Sequence, residues 1–146
     1  MEIAILGLGC FWGPEIKFSK LNGIIKTEVG YCGGNNSQTS YQEVCTGSTN
    51  HAEVVKLDFD PKIISYEKIL KFFFEIHDPT TLNQQGYDIG TQYRSEIFYT
   101  NENQKEIAQK VLNRTNAKYN GKIVTNISKN KNYCKAEEYH QKYLER

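Results

Sequence analysis

Residues 9–15 read GCFWGPE, and this segment joins the first predicted strand to the first predicted helix. The apolar run Ile3–Leu6 that precedes it is typical of a buried strand. Pro14 suits the first turn of a helix, where its missing backbone N–H costs no hydrogen bond. Cys10 therefore lies between the carboxyl end of a strand and the amino end of a helix.

The position of Cys10 predicts a reactive thiol. Unpaired N–H groups and the macrodipole at the amino end of a helix favour an anion, so we expect this thiol to be biased toward thiolate. The aromatic side chains of Phe11 and Trp12 follow it directly. A nucleophilic sulfur beside an aromatic wall suggests covalent chemistry on a substrate with an apolar end.

In two other interpretations of this segment the cysteine has no catalytic role. Free cysteine is often a small buried hydrophobe. The glycines of residues 7–13, followed by Glu28, resemble a dinucleotide-binding turn with its ribose-binding acid. That turn needs small residues beside the pyrophosphate. Phe11 and Trp12 would crowd it, so we disfavour a dinucleotide site.

Length and composition predict a single catalytic domain spanning residues 1–146. The 18 basic and 17 acidic residues leave a net charge of +1 without a dense basic cluster, which argues against nucleic-acid binding. No apolar run approaches the roughly 20 residues of a membrane helix. The apolar start also lacks a basic leader and a cleavage site. We therefore expect a cytoplasmic monomer that binds no membrane.

The cysteines and histidines do not have the spacing of a metal site. No two cysteines form a CxxC pair, and the three histidines are scattered, so we predict neither a metal nor another cofactor. Cytoplasmic cysteines are mainly reduced, which favours a catalytic thiol with a redox partner. The residues concerned are Cys10, Cys32, Cys45, Cys134, His51, His77 and His140.

Hydrophobic periodicity and turn residues predict the element order β-α-β-β-α-β. This order indicates an α/β protein of the α+β type, with a ferredoxin-like split-βαβ core and an additional C-terminal helix, strand and short helix. Residues 35–50 and 80–94 are expected to be loops. The predicted strands are 3–6, 24–30, 52–59, 95–99 and 122–127, and the predicted helices are 14–20, 66–77, 101–118 and 136–144.

This topology brings distant segments to one edge of the sheet. The first two strands run parallel and the next two run opposite to them, so Cys10, residues 31–34, the run up to Glu53 and residues 88–94 meet there. Two of the connections exceed the ~12–15 residues usual for a structureless loop, and such loops in compact domains tend to be functional. The sequence therefore predicts one site at this edge.

The expected site places Cys10 among Tyr41, Glu53, Asp88 and Tyr93. The chain has ten tyrosines, so ordinary packing would explain any one of them. Glu53 is flanked by apolar residues, and desolvation should raise the pKa of its carboxyl and keep it protonated near neutral pH. A protonated acid beside a sulfur nucleophile suits a substrate whose developing oxygen needs a proton.

Seven motifs in the same order resemble those of the type A peptide methionine sulfoxide reductases. Each is short, but together they are highly specific and cover nearly the whole chain. They are GCFWG at 9–13, VGYCGG at 29–34, YQEVCTG at 41–47, HAEVV at 51–55, HDPT at 77–80, DIGTQYRS at 88–95 and AEEYHQ at 136–141.

The resemblance implies reduction of methionine-S-sulfoxide, free or in oxidised proteins, to methionine. Cys10 would attack the sulfoxide sulfur and become a sulfenic acid as methionine leaves. Glu53 would protonate the sulfoxide oxygen, and Tyr41 and Tyr93 would donate hydrogen bonds to it. Asp88 would organise the polar side of the pocket.

The resemblance also gives the aromatic pair a role. Phe11 and Trp12 would form the apolar wall that takes the methyl group of the substrate. A walled chiral pocket fits one hand of the sulfoxide, which in this family is the S form.

Recycling of the sulfenic acid is implied to need thioredoxin or another thiol. Many relatives carry a resolving cysteine in a C-terminal tail, whereas this chain stops at Arg146, soon after the last motif. Cys134, just before that motif, is the first candidate for the resolving thiol. Cys32 is the second, because it lies at the same sheet edge as Cys10. We expect Cys45 to be a buried structural thiol, and direct reduction by an external thiol stays open.

Two other functions stay open from the sequence. A cysteine hydrolase or acyltransferase would pair Cys10 with His51 or His140, although it lacks an obvious orienting partner. A ferredoxin-like binding module would use the aromatic residues as a ligand platform. Following the reduction of a sulfoxide-containing peptide by dithiothreitol distinguishes all three.

Overall fold

The computed structural model describes residues 1–145. The strands are β1 (Glu2–Leu8), β2 (Ile24–Cys32), β3 (Ala52–Phe59), β4 (Gln84–Gln85), β5 (Asp88–Ile89), β6 (Ser95–Tyr99), β7 (Asn126–Lys129) and β8 (Cys134–Lys135). The helices are α1 (Trp12–Ser19), α2 (Tyr41–Cys45), α3 (Tyr66–Glu75) and α4 (Glu102–Lys118).

Six of the strands form one sheet in the order β7-β6-β1-β3-β2-β8, and β4 pairs with β5 in a separate hairpin. All neighbours in the large sheet are antiparallel except β6 and β7, which are parallel. In the central four strands, β1 and β2 therefore run parallel, and β3 and β6 run opposite to them. This confirms the predicted split-βαβ core.

The two faces of the sheet bury cores of unequal size. Residues of one strand alternate between the faces, so every second position packs against the helices. The helix face carries the main core, which includes Leu6, Val29, Tyr31, Val55, Leu57, Ile97, Phe18, Ile69, Phe73 and Val111. The opposite face carries a smaller core of Ile5, Cys32, Ala52, Val54 and Phe98, against which Tyr133 packs.

The long helices begin where the sequence predicts. The Ser65 side chain accepts a hydrogen bond from the Lys68 N–H at the start of α3, at 3.1 Å. Asn101 accepts one from the Gln104 N–H at the start of α4, at 2.8 Å, as in the first half of a capping box, whereas the Gln104 side chain accepts from the Thr100 N–H instead of the Asn101 N–H. Among residues 1–145, no helix combines the length and the apolar composition needed to cross a membrane.

The sequence missed α2, which lies in the predicted loop 35–50. The Ser40 side chain accepts a hydrogen bond from the Glu43 N–H at its start, and Val44 is buried in the main core. A helix of five residues is too short to show a hydrophobic period. The predicted strand 122–127 is also displaced, since β7 begins at Asn126.

The predicted helix over 136–144 is wrong. Two short 3₁₀ turns, Glu138–His140 and Tyr143–Glu145, stand in its place. Lys142 has a φ of +50°, which ends any helix there, and its N–H donates to the buried Glu15 carboxylate at 2.7 Å. Glu138 forms its ion pair with Lys135, not with Lys142. Tertiary contacts therefore override local helix preference in this segment.

We predict that Glu15→Ala destabilises the protein by about 2–3 kcal/mol, because the buried Thr27 hydroxyl and the Lys142 N–H lose their acceptor. Urea unfolding followed by circular dichroism measures the change. Glu106→Ala, at an exposed position of α4, is the matched control and should stay within about 0.5 kcal/mol of the wild type. Equal stability of the two variants would contradict the anchoring role of Glu15.

Candidate active site

Cys10 lies at the predicted sheet edge, directly after β1 and before α1. Its neighbour Phe11 precedes the first turn of α1 and donates its backbone N–H to Glu53 Oε1 at 3.3 Å. Glu53 is in turn the second residue of β3, which pairs with β1. One hydrogen bond therefore joins the start of α1 to the start of β3 and sets the acid next to the thiol.

The Glu53 side chain is buried, with 1% of its surface exposed. Its second oxygen, Oε2, has no hydrogen-bond partner among residues 1–145. The pKa of Glu53 is raised to about 8, chiefly by burial and also by the nearby charge of Asp88, while the hydrogen bond from the Phe11 N–H lowers it. As the flanking apolar residues predicted, the carboxyl is protonated near neutral pH.

The expected bias of Cys10 toward thiolate is wrong. Burial raises the pKa of its thiol to about 11, and the charges of Glu53 and Asp88 add to this effect. The Trp12 N–H at the start of α1 lowers the pKa of Cys10, as expected at the amino end of a helix, but desolvation is the larger effect. The resting site therefore holds two neutral protonated groups, a thiol and a carboxylic acid.

Two tyrosine hydroxyls complete the polar side of the site. Tyr93 ends the 3₁₀ turn before β6, and burial, followed by the charge of Glu53, raises its pKa to about 12. Tyr41 begins α2, and its pKa is raised by burial and then by the neighbouring Cys45 thiol. Both hydroxyls therefore stay protonated and can donate hydrogen bonds at any physiological pH.

A carboxylate that the sequence did not single out holds α2 in place. Glu137 accepts hydrogen bonds from the Tyr41 backbone N–H at 3.0 Å and from the Tyr31 hydroxyl at 2.9 Å. Tyr31 pairs with Glu53 across β2 and β3. Glu137 thus connects the C-terminal segment to the strands and to Tyr41, and no local sequence pattern indicates this connection.

The two predicted wall residues have different surroundings. Phe11 is fully buried, with its ring 5.8 Å from that of Tyr31 and 5.3 Å from that of His140. Trp12 is partly exposed, stacks on Tyr143 at 4.0 Å, and donates its indole N–H to His140 Nδ1 at 3.1 Å. Trp12 can therefore present an apolar surface to a ligand, whereas Phe11 supports the site from beneath.

Asp88 reaches the site on the hairpin of β4 and β5. Gly9, beside Cys10, has a φ of +97°, and a Cβ added there would lie 2.7 Å from Cγ of Gln85. Gln85 is itself fixed by the Asp78 backbone, whose N–H donates to its Oε1 at 3.0 Å. The hairpin therefore packs directly on the loop that carries Gly9 and Cys10, and Asp88 pairs with Gln85 across the hairpin.

The other three cysteines lie at different positions around the site. Cys32 shares the sheet edge with Cys10 but belongs to the smaller core on the opposite face, where its thiol donates to Asn130 Oδ1 at 3.2 Å. Cys134 pairs with Tyr31, which stands between it and Glu53 in the sheet. Cys45 is exposed at the end of α2, so the expectation of a buried structural thiol is wrong.

The histidines give little support to a hydrolase. His51 Nδ1 accepts the Gly34 N–H at 3.1 Å, and its Nε2 lies 2.7 Å from the Asn36 carbonyl. His140 is near Phe11, but its Nδ1 accepts the Trp12 indole N–H. Within residues 1–145, no group of three His, Cys, Asp or Glu side chains is placed to hold a metal ion.

Comparison with known proteins gives consistent matches over the chain. The sequence model of the family described as peptide methionine sulfoxide reductase matches residues 2–146. The peptide methionine sulfoxide reductase MsrA of Pelagibacter ubique is 74% identical over 146 residues, which cover 100% of this chain and 99% of that protein.

Solved structures are similar as well. Mxr1 from Saccharomyces cerevisiae in reduced form has a TM-score of 0.95 and 41% identity, covering 99% of this chain and 84% of that one. The structure of Mxr1 in complex with Trx2 has a TM-score of 0.70 and 28% identity, covering 97% of this chain and 84% of that one.

The raised pKa of Glu53 predicts a pH dependence of stability. The folded state binds this proton more tightly than the unfolded state, whose carboxyl titrates near 4.5. The stability that this bound proton contributes to the folded state is therefore full below pH 4.5 and is lost as the pH rises through about 8. The unfolding free energy of the wild type should fall relative to that of Glu53→Gln between pH 5 and about pH 8.5, as urea unfolding at each pH will show. A difference independent of pH would mean that Glu53 titrates normally.

Proposed function

Since the chain belongs to the peptide methionine sulfoxide reductase family, we propose that it reduces methionine-S-sulfoxide, free or in proteins, through a Cys10 sulfenic acid. The enzyme is an oxidoreductase that reduces methionine sulfoxide. The roles of single residues and the choice of epimer are our proposal, and the geometry around Cys10 and Glu53 supports them.

One observation carries the mechanism: the buried Glu53 uses one oxygen to accept the Phe11 N–H and leaves Oε2 without a partner among residues 1–145. A carboxyl with a pKa of about 8 carries a proton at neutral pH. The Oε2–H can therefore donate to the sulfoxide oxygen, which is a poor leaving atom until it is protonated.

The chemical step transfers one oxygen atom. The Cys10 sulfur attacks the sulfoxide sulfur and forms an S–S bond while Glu53 protonates the oxygen. The hydroxyl then passes from the methionine sulfur to the Cys10 sulfur as the S–O bond of the substrate and the new S–S bond break, so methionine leaves and Cys10 is left as a sulfenic acid. The Cys10 sulfur is oxidised and the methionine sulfur is reduced. The proton of the Cys10 thiol replaces the one that Glu53 gave up, so both groups start and end their part of the cycle without a net charge.

The remaining residues orient the sulfoxide. The Tyr41 and Tyr93 hydroxyls donate hydrogen bonds to its oxygen, and their raised pKa values keep them protonated. Trp12 takes the methyl group, while Asp88 organises the polar side of the pocket. Fixed polar groups on one side and an apolar surface on the other distinguish the two epimers.

We propose that thioredoxin recycles the enzyme and that this happens in the cytoplasm, where reductants keep thiols reduced. The complex of the similar Mxr1 with Trx2 supports a thioredoxin as reductant. A second thiol would condense with the sulfenic acid to give a disulfide and water, and thioredoxin would then reduce the disulfide. Cys134 is our candidate for this thiol, because it lies on the helix face of the sheet and Cys32 does not.

We predict that Glu53→Gln lowers the rate of methionine sulfoxide reduction by roughly 10²–10⁴-fold, since glutamine keeps a hydrogen-bond donor but cannot release a proton. The assay uses dithiothreitol as reductant across pH 6 to 8. Glu43→Gln on the exposed side of α2 is the matched control and should retain the wild-type rate. Cys10→Ser should be inactive because a hydroxyl is a much weaker nucleophile. A near-normal rate for Glu53→Gln would exclude it as the proton donor.

We predict that Cys134→Ser abolishes the intramolecular disulfide after one turnover and slows recycling by thioredoxin. A disulfide requires the two Cα atoms within about 7 Å, and strands β3 and β2 lie between β1, which precedes Cys10, and β8, which carries Cys134, so a local rearrangement must accompany the step. Thiol counting and peptide mapping of wild type, Cys134→Ser, Cys32→Ser and Cys45→Ser measure the outcome. If Cys134→Ser behaves as wild type while Cys45→Ser loses the disulfide, the resolving role belongs to Cys45, whose thiol lies beside Tyr41.

A further inference from the structure

Arg94 lies directly after Tyr93, and its side chain makes three contacts that the proposed mechanism does not use. Its Nη1 donates to the Thr91 carbonyl at 2.9 Å, and its Nη2 donates to the Asn50 carbonyl at 3.0 Å. Its Nε donates to Glu96 Oε1 at 2.6 Å, in an ion pair whose side chains are 15% and 7% exposed. All three nitrogens of one planar guanidinium therefore bind acceptors of the protein.

The two carbonyls belong to the segments that carry two groups of the proposed mechanism. Thr91 begins the 3₁₀ turn that Tyr93 ends, and Asn50 lies three residues before Glu53. In that mechanism Glu53 protonates the sulfoxide oxygen while Tyr93 donates a hydrogen bond to the same atom. The guanidinium of Arg94 therefore connects the backbone beside one donor to the backbone beside the other.

The Glu53 end of this connection is the fixed end. Glu53 lies on β3, which pairs with β1 on one side and with β2 on the other. The 3₁₀ turn has only three residues, and no side chain caps its start at Gly90, whose φ is +145°. Hydrogen bonds in such a turn have poorer geometry than those of an α-helix. The position of the turn against β3 therefore depends on tertiary contacts such as those of Arg94.

Arg94 acts from the face of the sheet opposite to the Glu53 carboxyl. A Cβ added at Gly33, whose φ is +86°, would lie 3.0 Å from Nη2 of Arg94 and 2.7 Å from Cε1 of Phe98, which belongs to the smaller core. Val54 belongs to the same core, so its neighbour Glu53 faces the helices. Gly33 thus leaves room for the guanidinium beside the smaller core, and Arg94 can affect the reaction only through the backbone.

We propose that Arg94 is a positioning residue, which holds the Tyr93 hydroxyl at the distance from Glu53 that their common target, the sulfoxide oxygen, requires. This inference rests on the proposed function and adds a residue to its machinery. The hydrogen bond from Tyr93 strengthens as charge develops on the oxygen, so a misplaced hydroxyl destabilises the transition state more than the bound substrate. Loss of the Arg94 contacts therefore slows the chemical step and changes substrate binding little.

Arg94→Lys separates these contacts from the charge, because an ammonium can pair with Glu96 but lacks the planar fork that reaches both carbonyls. The rate of methionine formation from methionine-S-sulfoxide in a single turnover without reductant measures the chemical step. At saturating substrate this rate should fall about tenfold, while the half-saturating concentration changes by less than about twofold. Arg114→Lys, at an exposed ion pair with Glu67, is the matched control and should keep the wild-type rate.

Two double-variant comparisons distinguish the positioning of Tyr93 from a general structural role. In the Tyr93→Phe protein the hydroxyl is absent, so adding Arg94→Lys should lower the rate by less than about twofold. Tyr41 donates from α2, so in the Tyr41→Phe protein the fall should stay about tenfold. Circular dichroism shows whether each variant is folded. If Arg94→Lys does not fold, Glu96→Gln takes its place in both comparisons, with an expected fall of about threefold because the charge that holds Nε is lost.

An equal fall in the wild-type and Tyr93→Phe backgrounds would overturn the proposal, because Arg94 would then act through other groups. An unchanged rate in folded Arg94→Lys, or an effect on the half-saturating concentration alone, would overturn it as well. A wild type that forms no methionine in a single turnover would instead overturn the proposed function itself.

Discussion

The hydrogen bond from the Phe11 N–H to Glu53 is the interaction on which the site depends. It fixes the amino end of α1 over the start of β3, and so it places Cys10 and the acid together. The same bond occupies one carboxyl oxygen and stabilises the charged form of Glu53, yet burial is the larger effect and keeps the group protonated. The second carboxyl oxygen, Oε2, has no hydrogen-bond partner among residues 1–145, which is why we propose it as the proton donor.

A second set of contacts connects the C-terminal segment to this arrangement. Glu15 binds the Lys142 N–H, Glu137 binds the Tyr41 N–H, and Tyr143 stacks on Trp12. The segment has little regular structure of its own, so its position is determined by its contacts with other elements, among them the buried Glu15 of α1. Buried acceptors with fixed donors define a geometry more strictly than apolar packing does, because an unpaired polar group is costly to bury. The active site thus uses residues from both ends of the chain.

The sequence predicts the fold well where the signal is local. The strand 52–59, the strand 95–99 and the cap of α4 follow from periodicity and turn chemistry, and the split-βαβ order brings Cys10 and Glu53 to one edge. Prediction fails where tertiary contacts decide. No local pattern indicates that Lys142 adopts a positive φ, which brings its N–H to Glu15. Side chains alternate between the two faces of a strand, but which face Cys32 takes can be predicted only once the register of β2 is known. The prediction of a lowered pKa for Cys10 is wrong for a related reason, since burial raises this pKa more than the amino end of the helix lowers it.

That last failure has a chemical consequence for the enzyme. The thiolate is the form of cysteine that oxidants and disulfides attack, and a thiol with a pKa of about 11 is almost entirely protonated at neutral pH. The resting Cys10 is therefore protected from adventitious oxidation, although the enzyme works on oxidised substrates. In the mechanism that we propose, its proton is released when Glu53 passes its own proton to the sulfoxide oxygen and becomes a base. Under this proposal the Cys10 thiol is activated only when the substrate is bound, a selectivity that a permanently ionised thiol would lose.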